Sequence, residues 1–278
     1  MSLATFERAL ASRERHLSAF LMLGDPTPDL SVRLAVTAVR AGASMLELGI
    51  PYSDPCADGP AIEAACLRAR AAGTSTREAL DLVERIRGEL PDTPIHLLVY
   101  ANLVHAPGYG AFCASAAASG ASTLLVPDVP LEESPPLRDA CNAAALGHAQ
   151  LVGPRTTPAR LAALDDASTS YLYLAGYQGV TGIEETGADA YRALARRTVE
   201  RTRRPVCLGF GLSKADDVRA AFEGGARMAV VGSHLARAIE HALGGDVERA
   251  LHDALSPLAE ATTEPVTTPD SRGELRCS

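Results

Sequence analysis

The chain has 278 residues, of which 47% are hydrophobic, and a formal net charge of −8. No basic stripe or cluster is present, which argues against nucleic acid as a partner. No apolar run approaches the roughly 20 residues needed to span a membrane, and the N-terminus MSLATFERALASRERH lacks a signal-peptide core, so a cytoplasmic, soluble protein is expected.

Read in chain order, short apolar runs alternate with alanine-rich amphipathic stretches. Strands are expected at 16–23, 44–49, 95–100, 123–126, 149–152, 171–175, 206–209 and 228–231. Helices are expected at 29–41, 61–72, 76–89, 110–119, 134–144, 188–202 and 214–224. Such alternation builds parallel strands joined by helical crossovers. Continuously apolar strands fit a sheet buried on both faces. Eight units over this length favour a closed (β/α)8 barrel, the TIM-barrel form of the α/β class, over an open doubly wound sheet. The barrel is expected to occupy 1–261 as a single domain. Residues 262–278 lack apolar periodicity and are expected to be disordered. Residues 176–190, GYQGVTGIEETGADA, are rich in glycine and threonine and read as a mobile lid after the sixth strand. The six cysteines (56, 66, 113, 141, 207, 277) form no CxxC pair, and the seven histidines are dispersed, so no metal site is expected. Most cysteines read as small buried hydrophobes or incidental surface thiols.

The stretch 46–60, LELGIPYSDPCADGP, concentrates chemistry. Glu47 stands in an apolar strand, where a carboxylate costs several kcal/mol unless paired. Three prolines at 51, 55 and 60 then fix a rigid loop that carries Asp54 and Asp58. Two readings fit: a buried ion pair with turn-capping aspartates, or a pair of catalytic acids. The second gains from convergence. Glu47, Asp58, Tyr100, Asn102, Asp128, Tyr173, residues 209–211 and residues 232–233 all fall at C-terminal strand ends, the active face of such barrels. Glycine motifs after the seventh strand (LGFGLS, 208–213) and the eighth (VGS, 231–233) read either as tight βα turns or, taken together at those two strands, as the recurrent barrel phosphate site, to which Gly182 could add an amide. No lysine lies in a strand, so Schiff-base chemistry lacks a nucleophile and carbon–carbon cleavage would proceed by acid–base catalysis.

LELGIPYSDPCADGP closely resembles the signature of the tryptophan synthase α subunit family. Further matches are FLMLGDP (20–26), YANL (100–103), VPDVPLEE (126–133), GVTG (179–182), GFGLS (209–213) and Gly232-Ser233. The resemblance implies a (β/α)8 barrel that cleaves indole-3-glycerol phosphate into indole and glyceraldehyde 3-phosphate. It implies Glu47 and Asp58 as the catalytic acids, and Gly182, Gly211, Gly232 and Ser233 around the phosphate. Phe20, Leu98, Tyr100, Leu125, Tyr173 and Phe210 would form the indole pocket, and Thr181 would latch the lid onto a carboxylate such as Asp58. Pro51, Asp54, Pro55, Asp128 and Pro130 match positions facing a β subunit in an α2β2 assembly. No cofactor is expected in this chain; pyridoxal phosphate would belong to the β partner. The chain departs from the family at Gly176 and Tyr177, where serine and arginine are common, and at Met22 and Pro127. Those departures leave two other functions to weigh: a stand-alone indole-releasing lyase, and a non-catalytic activator of a β subunit.

Overall fold

The computed structural model describes residues 2–176 and 187–263. The elements run, in chain order, α1 (Ser2–Ser12), β1 (His16–Met22), α2 (Pro28–Arg40), β2 (Met45–Gly49), α3 (Pro60–Ala71), α4 (Thr76–Glu89), β3 (Ile95–Leu98) and α5 (Ala101–His105). They continue as α6 (Tyr109–Ala118), β4 (Thr123–Leu125), α7 (Pro135–Ala143), β5 (Gly147–Val152), α8 (Pro158–Ala167), β6 (Leu172–Ala175) and α9 (Ala188–Val199). The last are β7 (Val206–Gly209), α10 (Ala215–Glu223), β8 (Met228–Val231), α11 (Ser233–His241) and α12 (Val247–Glu260). The eight parallel strands close in sequence order, and β1 meets β8 with His16 in register with Met228. All eight expected strands are present, most of them shorter by a residue or two at one end.

Two apolar layers account for the closure. Outward strand residues such as Leu17, Leu46, Leu97 and Leu172 pack against the helices, as do buried helical residues such as Leu34, Leu82 and Leu235. Inward residues, among them Phe20, Met45, Leu98, Leu125, Tyr171, Tyr173, Met228 and Val230, fill the barrel itself. Alternate residues face opposite sides of a strand, so an unbroken apolar run feeds both layers at once. Helix starts are set locally. Thr27 and Thr157 accept from the third residue beyond, Ser75 and Glu78 form a reciprocal capping box, and prolines open α2, α3, α7 and α8.

Helices α5, α8 and α12 are not among those expected from the sequence, and neither is α1. Helix α1 plugs the N-terminal end of the barrel with Phe6, which is 1% exposed and lies edge-on to His96 at 5.3 Å. Arg227 holds α1 in place by donating to the carbonyls of Leu10, Arg13 and Glu14. Closing that end leaves the C-terminal end as the open one. Residues 262 and 263, assigned above to the tail, form a turn through N–H donation to Ala259 and Glu260 carbonyls.

Candidate active site

Glu47 sits on the inner face of β2, in register with Phe20 on β1 and His96 on β3, and is 2% exposed. It has no cationic partner, so the buried ion pair considered above is not formed among the described residues. Its recorded hydrogen bond comes from the Tyr173 hydroxyl to Oε2 at 3.3 Å. Burial pushes its carboxyl up to about 8, Asp58 nearby adds to the rise, and the Tyr173 hydrogen bond offsets part of it.

Asp58 comes from the rigid loop after β2, immediately before α3. Burial raises its carboxyl to about 6, opposed by a hydrogen bond from Tyr100 and assisted by the charge of Glu63. The Tyr100 hydroxyl also accepts from the Ala57 amide at 3.1 Å, so one phenol holds both the acid and its backbone. The loop is anchored from behind by Cys66 of α3, whose thiol accepts from the Tyr52 amide (3.1 Å) and donates to the Tyr52 carbonyl (2.9 Å). The Tyr52 ring stacks on Tyr100 at 5.4 Å, and its hydroxyl accepts from Asn102 at 2.5 Å.

A cavity at the open end is lined by Phe20, Glu47, Asp58, Ile62, Leu98, Tyr173, Phe210, Gly211, Val230, Gly232 and Ser233. The structure thus brings both acids, four of the six expected aromatic and aliphatic walls, and three of the four expected phosphate residues to one place. Tyr100 and Leu125 do not line it. Tyr100 stands behind Asp58, and Leu125 packs beneath, 1% exposed, within the inner core. Gly182 and Thr181 lie outside the described residues. Two walls escaped sequence reasoning. Val230 was legible in principle, two residues before Gly232 on a period-2 strand, and Ile62 lies one helical turn beyond Asp58.

The floor near β7 is tightly fitted. A Cβ on Gly209 would fall 2.1 Å from the Tyr173 hydroxyl, so only glycine leaves room for that phenol beside Glu47. Phe210 then adopts φ 60°, a left-handed conformation unfavourable for a residue with a Cβ, and Gly211 follows at φ 103°. The turn lays the Phe210 ring across Tyr173 at 5.4 Å between centroids. A Cβ on Gly176 would meet the Phe210 carbonyl at 2.7 Å, so the glycine found where serine is common accommodates this turn.

The anion-binding potential lies at α11. Gly232 caps it and Ser233 opens it, leaving first-turn amides without intrahelical partners and facing the cavity rim. The other glycine turn contributes less, because the amides of Ser213 and Lys214 are already taken by the Asp217 carboxylate at 3.1 and 3.0 Å.

Of the residues expected to face a partner, Asp54, Asp128 and Pro130 are exposed and Pro55 is half-buried. Pro51 is buried and offers no surface. Asp128 accepts from the Ala101 amide at 2.9 Å and fixes the start of α5. Four cysteines are buried and Cys56 is exposed. No group of three or more metal-ligating side chains occurs among the described residues. No helix among them is long and apolar enough to cross a membrane.

Comparison with known proteins agrees with this geometry. The family model described as "Tryptophan synthase alpha chain" matches residues 6–263. The tryptophan synthase alpha chain of Cronobacter sakazakii is 40% identical over 238 residues, covering 86% of this chain and 88% of that one. That of Halorhodospira halophila is 39% identical over 260 residues, covering 92% and 93%. Among solved structures, tryptophan synthase subunit alpha from Legionella pneumophila superposes with a TM-score of 0.84 at 29% identity, covering 93% of this chain and 97% of that one. A chain of the tryptophan synthase complex from Pyrococcus furiosus gives 0.80 at 32% identity, covering 88% and 98%.

Proposed function

This chain belongs to the tryptophan synthase alpha chain family, and from that premise we infer that it is a lyase cleaving indole-3-glycerol phosphate to indole and glyceraldehyde 3-phosphate. The observation that carries the residue assignment is a pair of carboxyls, Glu47 and Asp58, in one apolar cavity with ordinary values pushed up to about 8 and about 6.

Those values divide the labour at neutral pH. Glu47 retains its proton and serves as the acid; Asp58 is ionised and accepts a hydrogen bond from the indole N–H. Glu47 delivers its proton to carbon 3 of the indole, and the positive charge that develops on the ring nitrogen is stabilised by Asp58. The resulting indolenine is an electron sink. Glu47, now a carboxylate, removes the proton from the hydroxyl on the adjacent glycerol carbon. The carbon–carbon bond breaks, its electron pair returns to the ring to restore indole, and the oxygen forms the aldehyde of glyceraldehyde 3-phosphate. Tyr173 holds Glu47 in place for both transfers. The phosphate is held at the start of α11 by Gly232 and Ser233, with Gly211 beside them and Gly182 from the preceding loop. The chemistry needs only acid–base groups of this chain, and pyridoxal phosphate is assigned to a β partner.

The family also implies assembly. A solved Pyrococcus furiosus structure is described as showing mutual activation of the tryptophan synthase α2β2 complex. The exposed Asp54, Asp128 and Pro130, on loops adjoining the cavity, support the same arrangement here. The assigning experiment is turnover of indole-3-glycerol phosphate by the chain with and without a β subunit. Indole release by the chain with stimulation by the subunit is expected. Release at one unchanged rate would mark a stand-alone lyase, and none in either condition a non-catalytic activator.

A further inference from the structure

A second concave site lies between the segment that follows β5 and the end of α9, with a lining separate from that of the mouth. The segment after β5 and the first turn of α8 form one wall, through Val152, Gly153, Pro154, Arg155, Thr156, Thr157 and Leu161. The later part of α9 and the turn beyond it form the other, through Leu194, Arg197, Thr198 and Arg201. The groove encloses about 330 Å³ and shares no lining residue with the mouth. That volume falls in the range of small-molecule sites, about 300–1,000 Å³.

Its chemistry is one-sided. Three guanidinium groups border it and no carboxylate does, in a chain whose net charge is −8. None of the three has an acidic partner within ion-pair distance among the described residues. Arginines nearby in sequence are neutralised: Arg160 on α8 by Glu132, Arg192 on α9 by Glu223 and Asp189, and Arg203 beyond α9 by Asp165 and Asp166. Arg197 spends one donor on the Pro154 carbonyl (2.8 Å) and Arg201 one on the Arg197 carbonyl (2.9 Å). The first bond ties α9 to the opposite wall, the second stays within its own wall, and both leave the other N–H groups of the two side chains available. Thr156 and Thr157 have their oxygens occupied as acceptors, from the amides of Gly153 and Arg160. Their hydroxyl protons are therefore free to donate. The groove thus offers donors from two walls, on an apolar floor of Val152, Leu161 and Leu194.

We propose that this groove binds a small phosphorylated anion, with Arg155, Arg197 and Arg201 as its charge partners and Thr156 and Thr157 as hydroxyl donors. Planar guanidinium forks match phosphate oxygens bidentately, and such charge-assisted bonds are the strong ones. A dianion removes the mutual repulsion of three arginines and bridges α8 to α9. Because α8 and α9 flank β6, which carries Tyr173, the site is placed to sense or stiffen the wall beside Glu47.

The test is equilibrium binding of inorganic phosphate to the full chain in buffer containing physiological chloride, with the mouth silenced by Gly232→Val. The Gly232→Val chain is expected to bind one phosphate, against two for the wild type. Adding Arg197→Met and Arg201→Met, which keep the aliphatic stems, should weaken the remaining site at least about tenfold. Arg155→Glu, at an exposed position, supplies a second variant that places no demand on folding and should weaken it likewise. Phenyl phosphate in place of inorganic phosphate separates the two sources: tighter binding of the ester marks an organic phosphomonoester that uses the apolar floor, and equal or weaker binding marks the free ion. The proposal is overturned if Gly232→Val binds no phosphate, if the arginine variants bind it unchanged, or if chloride alone displaces it. Two phosphates bound after Gly232→Val would instead leave the groove standing and overturn the phosphate position at the mouth.

Discussion

Glu47 and His96 are register partners on adjacent strands, and both lie inside the barrel at 2% and 3% exposure. Burial moves each toward its neutral form: the carboxyl up to about 8, the imidazole down to about 3. Their surroundings differ in what they permit. His96 has both ring nitrogens engaged, with Thr123 Oγ1 at 2.6 Å and Met45 Sδ at 3.4 Å, and Phe6 and Tyr171 close over it edge-on. Glu47 has one long hydrogen bond and borders a cavity. A shifted titration thus marks a reactive group only where a reactant can reach it; in the sealed half of the barrel the same physics makes a packing residue.

The largest expected effect falls on the open half. Replacing Glu47 with Gln keeps the shape and removes the transferable proton, so lyase turnover should fall about 10²–10⁴-fold. Steady-state indole release measures it. His96→Gln should leave that rate within a fewfold. Near-normal turnover in the Glu47 variant would erase the distinction between the two halves.

The next effect is on stability. A carboxyl that stays protonated to about 8 when folded, against an ordinary value of 4.5, favours the folded state most fully below 4.5. That contribution is lost as pH rises toward 8, by up to about 5 kcal/mol. The buried His16, His96 and His148, lowered to about 4, 3 and 4, act in the opposite sense. They stay neutral when folded but protonate on unfolding, so stability falls as pH drops below 6.5. Urea unfolding across this range should show Glu47→Gln missing the alkaline loss and His96→Gln missing part of the acid loss. His96→Gln should also lose about 1–3 kcal/mol at neutral pH from its broken hydrogen bonds.

Activity should follow a bell. The acid limb near 6 reports ionisation of Asp58, and the alkaline limb near 8 reports loss of the Glu47 proton. Because the two carboxyls interact, the limbs belong to the pair. The smallest change is Tyr173→Phe. Removing the 3.3 Å hydrogen bond that lowers the Glu47 value should move the alkaline limb upward and reduce turnover by roughly tenfold or less. An unmoved limb would mean the phenol packs beside the acid without tuning it.

Much of this was legible in one dimension. Eight apolar runs separated by helical stretches specify a parallel sheet covered by helices on both faces, and eight such units over this length favour its closure into a barrel. LELGIPYSDPCADGP singled out Glu47 and Asp58, which the structure places on one cavity, but by itself it left a structural and a catalytic reading both open. The glycine turns after β7 and β8 likewise pointed to Gly211, Gly232 and Ser233, which line the same cavity. What stayed hidden depends on contacts between residues distant in sequence. Nothing in residues 2–12 announces that Phe6 seals the barrel above His96. Nothing near Cys66 says that its thiol clamps the Tyr52 backbone. The strain at Phe210 and the glycine at 176 make sense only where β6 meets β7. The three arginines of the flank groove look scattered along the chain and come together only when the segment after β5 meets the end of α9. Periodicity and turn chemistry are properties of neighbours in sequence; burial, proton affinity and the meeting of like charges are properties of neighbours in space, and they were decided when the barrel closed.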